Sequence, residues 1–199
     1  MAAPKLATYD DLLAFTHSGE KRAELIHGVI VERDPVEELG PATEHGHVQV
    51  QLSILLGRRF ARARSDRWPG GWWFASEFDL QYETHEVFCH DLVGWRRERM
   101  TEAPTGRPQR LRPDWVCEII SASTEKHDFN DKMPVLHRAQ VGHFWVIRPL
   151  TKTLQVYRWT PDGYLMRSVA ASGDVVRAEP FEAVDLRVAV IFGDEDDED

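Results

Sequence analysis

The sequence has few of the features that mark secreted, membrane or thiolate-metal proteins. It contains two cysteines in 199 residues, Cys89 and Cys117, and no CxxC pair, which excludes a cysteine-based zinc cluster. No apolar run approaches the roughly 20 residues that a transmembrane helix needs. The first residues, MAAPKLATYDD, lack the apolar core of a signal peptide. We therefore expect no membrane association and a cytoplasmic protein with reduced thiols.

Positive charge is scarce as well, since the formal net charge is −9. The last six residues, 194–199, are all acidic, so the rest of the chain carries only −3. We predict that these six residues form a disordered tail, because they are polar and repel one another. The arginines are grouped, which predicts either a local positive surface or ordinary solvated faces; the groups are Arg58, Arg59, Arg62, Arg64, Arg67; Arg96, Arg97, Arg99; and Arg107, Arg110, Arg112.

Length and composition indicate one domain. A chain of 199 residues that is 42% hydrophobic and 29% charged can bury one core of ordinary size. We found no internal repeat and no linker that would separate a second domain. The prediction is a single domain over residues 1–193, followed by the tail.

The pattern of apolar residues predicts a mixed α and β fold. Apolar residues recur at helical spacing in residues 41–64, the longest helical pattern of the chain. The other expected elements are a helix after the cap Thr8, a hairpin turning at 27–28, strands at 72–82, 87–95 and 115–120, a helix near 128–139 with Pro134 in its first turn, and a β-meander from 143 to 169.

Glu118 is the most unusual residue of the predicted sheet. It lies in the stretch RPDWVCEIIS, residues 112–121, where a loop leads into a run of strand-forming apolar residues. An unpaired carboxylate inside a sheet costs several kcal/mol or has a raised pKa. Such a residue is therefore matched to a cation or used chemically. The plain alternative is a residue at a strand end that faces solvent or pairs with an arginine.

Three more polar residues are candidates for a functional role. Asp91 lies within the apolar stretch 87–93, so it repeats the anomaly of Glu118. Glu24 begins another apolar run, and its plain alternative is an ion pair with a neighbouring basic residue. His45 lies near the start of the long helix, where a lone histidine is more often a surface residue than a ligand.

Two carboxylates on neighbouring strands, with Lys132 on the next helix, form a workable site for phosphodiester hydrolysis. Carboxylates bind Mg²⁺ or Mn²⁺, which are hard cations that prefer oxygen ligands. Such a metal activates water and neutralises charge on the phosphate, and a lysine orients the water and stabilises the transition state. Two acids and a lysine are common in any sequence, so the spacing alone is a weak signal.

The sequence from about residue 6 to residue 192 resembles the Uma2 family of restriction-endonuclease-like proteins. The resemblance implies an α/β (α+β) fold of the PD-(D/E)XK nuclease type, with a mixed central sheet flanked by helices and a C-terminal β-meander. It is carried by several stretches in the same order: 24–28 (ELIHG), His45 with Val48 and Leu52, 91–99 (DLVGWRRER), 112–118 (RPDWVCE), Ser121 with 123–124, 131–132 (DK) and 142–145 (GHFW).

The resemblance also implies roles for single residues. Asp91 matches the motif aspartate and Glu118 the motif glutamate, and the backbone carbonyl of Ile119 would complete the metal's protein ligands. Position 120, where the usual motif has lysine, is isoleucine here. Lys132 on the following helix matches the family's replacement for that lysine, and Lys126 is the competing choice.

Two further matches and one departure concern residues around this motif. Glu24 matches an acid that points at the same cleft, and His45 matches a position that acts on substrate or water. His90 stands where the family has a proline before the motif aspartate. We expect this change to affect backbone stiffness more than chemistry.

The implied function is cleavage of DNA with Mg²⁺ (or Mn²⁺), the arginines contacting phosphates without reading sequence. We expect a homodimer, because nucleases with one active site per chain often pair to cut both strands. One alternative is a nuclease-fold protein that binds nucleic acid or a protein partner without cutting. This alternative is supported by the negative net charge of the chain and by the absence of a lysine at position 120. A structural protein with fortuitous buried acids is a third reading.

Overall fold

The computed structural model describes residues 5–18, 22–32, 42–120 and 128–197. Its elements in chain order are α1 Tyr9–His17, β1 Ala23–Ile26, β2 Val29–Glu32, α2 Ala42–Phe60, β3 Trp72–Glu83, β4 Glu86–Arg96, β5 Trp115–Ile119, a π-helical turn Asp128–Lys132, α3 Met133–Arg138, β6 His143–Arg148, β7 Thr153–Thr160, β8 Gly163–Ala171, β9 Val175–Val176, β10 Leu186–Arg187 and α4 Val188–Ile191.

The first eight strands form one mixed sheet. Their order is β2-β1-β4-β5-β6-β7-β8, and β3 also pairs with β4. Within the described part of the chain, β5 and β6 are the parallel pair and the other paired neighbours in this sheet are antiparallel. The predicted mixed sheet and the C-terminal meander β6-β7-β8 are confirmed.

The hairpin between β1 and β2 turns at the two predicted residues. His27 and Gly28 have φ values of 52° and 74°, and Ile26 pairs with Val29 across them. Two central residues with positive φ define a type I′ turn, whose twist matches that of the strands. Glycine accepts this conformation readily, whereas His27 is held in it by hydrogen bonds of its backbone N–H and its ring to Glu86.

Strand β4 is shared by three partners, and this arrangement creates the gap that concerns function. Strand β3 pairs with β4 from Trp72↔Arg96 to Glu83↔Glu86, so it occupies one edge of β4 along its length. Strands β1 and β5 therefore share the other edge. The first pairs at Val87 and the second pairs from Leu92 onward. Residues 88–91 of β4 lie between these two pairings, where β1 and β5 diverge from each other.

Helices cover both faces of the sheet. The long helix α2 packs Val48, Leu52 and Leu55, with other apolar residues, against one face together with α4 and Phe181. On the other face Leu136 of α3 packs against β4, β5 and β6. None of the helices in the described ranges is both long enough and apolar enough to cross a membrane.

The helix that carries Lys132 begins with an irregular turn. Residues Asp128–Lys132 form a π-helical turn, and α3 follows with Pro134 inside its first turn, where no backbone donor is needed. Single π-helical turns often mark functional sites. The wider spacing of this turn does not disrupt the contact between Asp128 and Lys132, whose Oδ1 and Nζ atoms lie 3.2 Å apart.

Two carboxylates of the predicted tail, residues 194–199, make side-chain contacts with the rest of the protein. Asp194 accepts hydrogen bonds from Lys152 and Ser172, at 2.5 and 2.8 Å. Asp197 forms a two-pronged ion pair with Arg59, at 2.6 and 2.8 Å. The last two residues lie outside the described ranges.

Candidate active site

Three predicted residues converge on the gap beside β4. Glu24 comes from β1, and its Oε1 accepts a hydrogen bond from the backbone N–H of Cys89 at 2.8 Å. Asp91 lies on β4 itself, and Glu118 lies near the end of β5. All three are buried, with 5%, 2% and 2% of their surfaces exposed. Acids that lie far apart in sequence are thus gathered where β1 and β5 separate.

Lys132 lies at the centre of the carboxylates on one side of this gap. Its Nζ is 3.0 Å from Oε1 of Glu24, 3.3 Å from Oε1 of Glu118 and 3.2 Å from Oδ1 of Asp128. The side chain is 3% exposed. The structure therefore brings Lys132 to the predicted glutamate, and it adds Asp128, which the sequence analysis did not select. Lys126, the competing lysine, lies outside the described residues.

The environment of Asp128 is unfavourable for its charge. Burial is the main cause that raises the pKa of this carboxyl group, the nearby carboxylates of Glu118 and Glu24 also raise it, and the resulting pKa is about 6. The ammonium of Lys132 acts in the opposite direction. Asp128 therefore holds its proton to a higher pH than an ordinary aspartate does.

Asp91 is fixed by the end of β5. Its Oδ2 accepts a hydrogen bond of 2.7 Å from the backbone N–H of Ile119. Leu92 of β4 lies opposite Cys117 of β5, so the same register extended by one residue would bring Asp91 opposite Glu118. The strands instead separate there, and the carboxylate of Asp91 bonds the backbone of β5 directly.

Helix α2 approaches Asp91 from its N-terminal half. The Nε2 atom of His45 is 3.2 Å from Oδ1 of Asp91. One turn later Gln49 donates a hydrogen bond of 2.9 Å to the backbone carbonyl of Asp91 and one of 3.3 Å to Glu77. The predicted histidine therefore lies at the predicted aspartate. Gln49 and Glu77 were not selected, although Gln49 follows His45 by four residues and so shares its helix face.

His90 makes a direct contact with the predicted glutamate. Its Nδ1 is 2.5 Å from Oε1 of Glu118, and its Nε2 is 2.8 Å from the hydroxyl of Tyr82. The expectation that histidine at this position changes stiffness more than chemistry misses this contact. A signal was available, because a histidine inside an apolar strand needs a hydrogen-bonding partner for the same reason that Asp91 does.

The oxygen donors suit a hard divalent cation. Carboxylates of Asp91 and Glu118 and the carbonyl of Ile119 are the donor types that Mg²⁺ and Mn²⁺ prefer. Asp91 accepts a hydrogen bond from the backbone N–H of Ile119, the residue after Glu118, so its carboxylate lies against the end of β5 that carries the other two donors. Within the described ranges no group of three or more His, Cys, Asp or Glu side chains is arranged to hold a metal. Two carboxylates are enough for Mg²⁺, which keeps several waters and binds substrate phosphates.

Several arginines of the predicted positive surface hold the fold together. Arg97 stacks on the ring of Trp73, 3.6 Å from its centroid, and donates to the carbonyl of Ala61 at 2.6 Å. Arg99 pairs with Asp114 at 2.5 Å. These contacts give Arg97 and Arg99 a structural role that requires no ligand. Phosphate binding by the arginine groups stays a prediction.

Comparison with known proteins identifies related sequences and folds. Residues 6–190 match the Uma2 family model, which is described as "Putative restriction endonuclease". A search of curated proteins gave no match. A solved structure from Anabaena variabilis ATCC 29413, described as "a putative nuclease belonging to DUF820", superposes with a TM-score of 0.70 at 17% sequence identity. The superposition covers 93% of this chain and 97% of that chain, and it confirms the predicted restriction-endonuclease-like fold.

Proposed function

We propose that this chain, which belongs to the Uma2 family, is a metal-dependent endonuclease that hydrolyses phosphodiester bonds in DNA. The family model supports a nuclease in general, and DNA as substrate and the metal are our inference. The observation that carries the proposal is the contact of Lys132 with Glu24 and Glu118 at the gap beside β4, where Asp91 bonds the end of β5. Carboxylates that can hold a divalent cation, with an ammonium beside them, support phosphodiester hydrolysis.

Each residue has a distinct part in the proposed reaction. Asp91, Glu118 and the carbonyl of Ile119 would hold Mg²⁺ or Mn²⁺, which supplies an activated water and neutralises charge on the phosphate when bound. Lys132 stabilises the charge that develops on the phosphate oxygens. Glu24 holds Lys132 in place through the ion pair of 3.0 Å. His45 acts on water or substrate next to Oδ1 of Asp91.

A second candidate is a protein of this fold that binds nucleic acid or a protein partner without cutting. The ammonium of Lys132 is shared by three carboxylates within 3.3 Å, and this favours a purely structural role for it. Position 120 is isoleucine, so the usual motif lysine is missing. Both observations are compatible with a folded, inactive site.

A cleavage assay separates the two candidates. Purified protein is incubated with supercoiled plasmid and with single-stranded DNA in Mg²⁺, in Mn²⁺ and in EDTA. Asp91→Ala and Glu118→Ala are tested beside Asp185→Asn, a control whose carboxylate is exposed and pairs with Arg177. We expect metal-dependent cutting that the first two variants lose and the control keeps. DNA binding without cutting at any metal concentration would favour the second candidate.

Three further expectations accompany the proposal. The arginine groups would contact phosphates, so affinity for DNA should fall steeply as salt increases. We propose a homodimer, which gives one site for each DNA strand, and sedimentation of the purified protein would reveal it. We also propose that the protein works in the cytoplasm, where its two cysteines, Cys89 and Cys117, remain reduced.

A further inference from the structure

His90 is completely buried beside the proposed catalytic carboxylates. It lies on β4 immediately before Asp91 and has 0% of its surface exposed. Its ring packs edge-on against Phe88 and Tyr82, with centroid separations of 6.0 and 5.7 Å. These two neighbours fix the orientation of the ring. A buried imidazole needs hydrogen-bonding partners, because an unmatched ring nitrogen loses its contacts with water.

Both ring nitrogens of His90 have a partner. Nδ1 is 2.5 Å from Oε1 of Glu118, and Nε2 is 2.8 Å from the hydroxyl of Tyr82. An ionised carboxylate can only accept, so Nδ1 carries the hydrogen. A phenol can donate to the other nitrogen. The neutral Nδ1–H tautomer therefore satisfies Tyr82, His90 and Glu118 together, in one directed chain of hydrogen bonds.

Two donors meet on the same oxygen of Glu118. Nδ1 of His90 and Nζ of Lys132, at 3.3 Å, both point to Oε1. They arrive from different elements, the former from β4 and the latter from the turn before α3. Two donors on one oxygen fix the rotation of the carboxyl group and so determine the direction of its other oxygen. Groups that orient a metal-binding carboxylate in this way contribute strongly to metal affinity.

We propose that His90 is a positioning residue that orients the carboxylate of Glu118 for the divalent cation, with Tyr82 holding the imidazole in the required tautomer. This inference rests on the proposed function, because it assigns Glu118 to the metal. It assigns chemistry to a position that is proline in the resembling family. It also predicts that His90 contributes to metal binding without touching the metal.

Metal affinity tests the positioning role without relying on DNA cleavage. Mn²⁺ binding to the full chain is measured by calorimetry for the wild type, His90→Leu, His90→Asn and Tyr82→Phe. Leucine fills the site but has no donor, and we expect it to weaken Mn²⁺ binding about 10- to 100-fold. Asparagine places an N–H near the position of Nδ1 and should restore most of that loss. Phenylalanine should cause a smaller loss than leucine.

A control variant shows whether the loss of another, partly buried histidine has this effect. His143, at the start of β6, lies 3.7 Å from Glu179 and far along the sequence from the gap. His143→Leu should leave Mn²⁺ affinity unchanged. Melting temperatures in EDTA establish that each variant folds. If leucine and asparagine at position 90 weaken binding equally, or neither does, the positioning role is wrong while the proposed function stands.

Nuclear magnetic resonance of the metal-free protein provides an independent measurement. With ¹⁵N-labelled histidine, His90 should show the Nδ1–H tautomer and a downfield Nδ1 proton that exchanges slowly with water. Glu118→Ala should remove this proton signal, and Tyr82→Phe should alter the signal of Nε2. An Nε2–H tautomer, or a signal indifferent to Glu118→Ala, would overturn the inference. If the wild type binds no Mn²⁺, the proposed function and the positioning role both fail, even where this signal shows the hydrogen bonds.

Discussion

The backbone N–H of Ile119 donates a hydrogen bond of 2.7 Å to the carboxylate of Asp91. This bond joins β4 and β5 at the point where their regular pairing, Leu92 with Cys117, has ended. Asp91 therefore has a structural role, as the acceptor for a backbone N–H, in addition to its proposed role as a metal ligand. The two roles can be separated by substitution.

Asp91→Asn should abolish cleavage while preserving stability. The amide oxygen can still accept from Ile119, but the group lacks the negative charge that a divalent cation requires. Asp91→Leu removes the acceptor as well, and a buried N–H without a partner costs about 1–3 kcal/mol. Urea denaturation in EDTA should show a loss of that size for leucine and a smaller one for asparagine. Equal stability of the two variants would show that the hydrogen bond contributes nothing.

Lys132→Met should affect both stability and cleavage. Methionine keeps much of the aliphatic stem but leaves Glu24, Glu118 and Asp128 without their shared ammonium. Breaking a buried ion pair by removing one partner costs about 3–5 kcal/mol. Loss of one electrostatic stabiliser slows reaction by about 10²-fold or more.

The control for Lys132→Met is Lys152→Met. Lys152 pairs with Asp194 in a half-exposed position, so its removal should cost no more than about 1 kcal/mol. Chemical denaturation and single-turnover cleavage give the two quantities. A Lys132→Met protein that is destabilised but cuts at the normal rate would assign the catalytic role to another group, such as Lys126.

Asp128→Asn should change how stability depends on pH. The folded protein keeps the proton of Asp128 up to about pH 6, whereas the unfolded chain releases it near 3.8. Between these values the folded state binds more protons, so its stability falls as pH rises, by up to about 3 kcal/mol in total. Asparagine has no such proton. The stability of the wild type relative to the variant should therefore decrease from pH 4 to pH 6 and become constant above pH 7.

Urea denaturation of both proteins across that range measures the difference. The other carboxylates titrate in both proteins, and their contributions largely cancel in the comparison. A constant difference across the range would mean that the carboxyl group of Asp128 has an ordinary pKa in the folded protein. Such a result would contradict the conclusion that burial and the carboxylates of Glu118 and Glu24 raise this pKa.

The docked part of the acidic tail should contribute measurably to stability. Asp197 forms a two-pronged contact with Arg59, and the side chain of Arg59 is only 9% exposed. Asp197→Asn should lower the free energy of unfolding by about 1.5–3 kcal/mol, the range for a hydrogen bond to a charged group. Asp185→Asn, in an exposed pair with Arg177, is the matched control and should change it by less than about 1 kcal/mol. Equal effects would indicate that the tail is not docked in solution.

Removal of residues 194–199 has a second expected result. The truncation deletes six negative charges, so non-specific binding to DNA should become tighter at low salt. Fluorescence anisotropy with a labelled duplex measures this at several salt concentrations. An unchanged affinity would show that the tail's charge does not act on the DNA-binding surface.

The sequence predicted most of the fold because its signals were local. Alternating apolar residues and the His27-Gly28 turn define the first hairpin, and helical spacing defines α2, which ends at Phe60. Pro134 correctly limited the start of α3. Docking of Asp197 on Arg59 could not be predicted, because it joins residues 138 positions apart through ordinary surface charges.

The main acids of the site were predictable from the sequence, whereas its other residues were less so. Asp91 and Glu118 are conspicuous in apolar strands, so the sequence selected them. Asp128 follows a polar segment and gives no such signal, and its burial depends on the π-helical turn that brings it to Lys132. His90 was recognisable as a polar residue inside an apolar strand. Its partner, Glu118, lies 28 residues away in the sequence, and the two are brought together by the pairing of β4 with β5.

Diffraction from crystals soaked in Mn²⁺, recorded where manganese scatters anomalously, tests the central claim most directly. The account predicts one anomalous peak bonded to carboxylate oxygens of Asp91 and Glu118 and to the carbonyl of Ile119, and no peak in crystals of Glu118→Ala. A wild-type crystal that binds no ion there, at manganese concentrations that support DNA cleavage in solution, would contradict it.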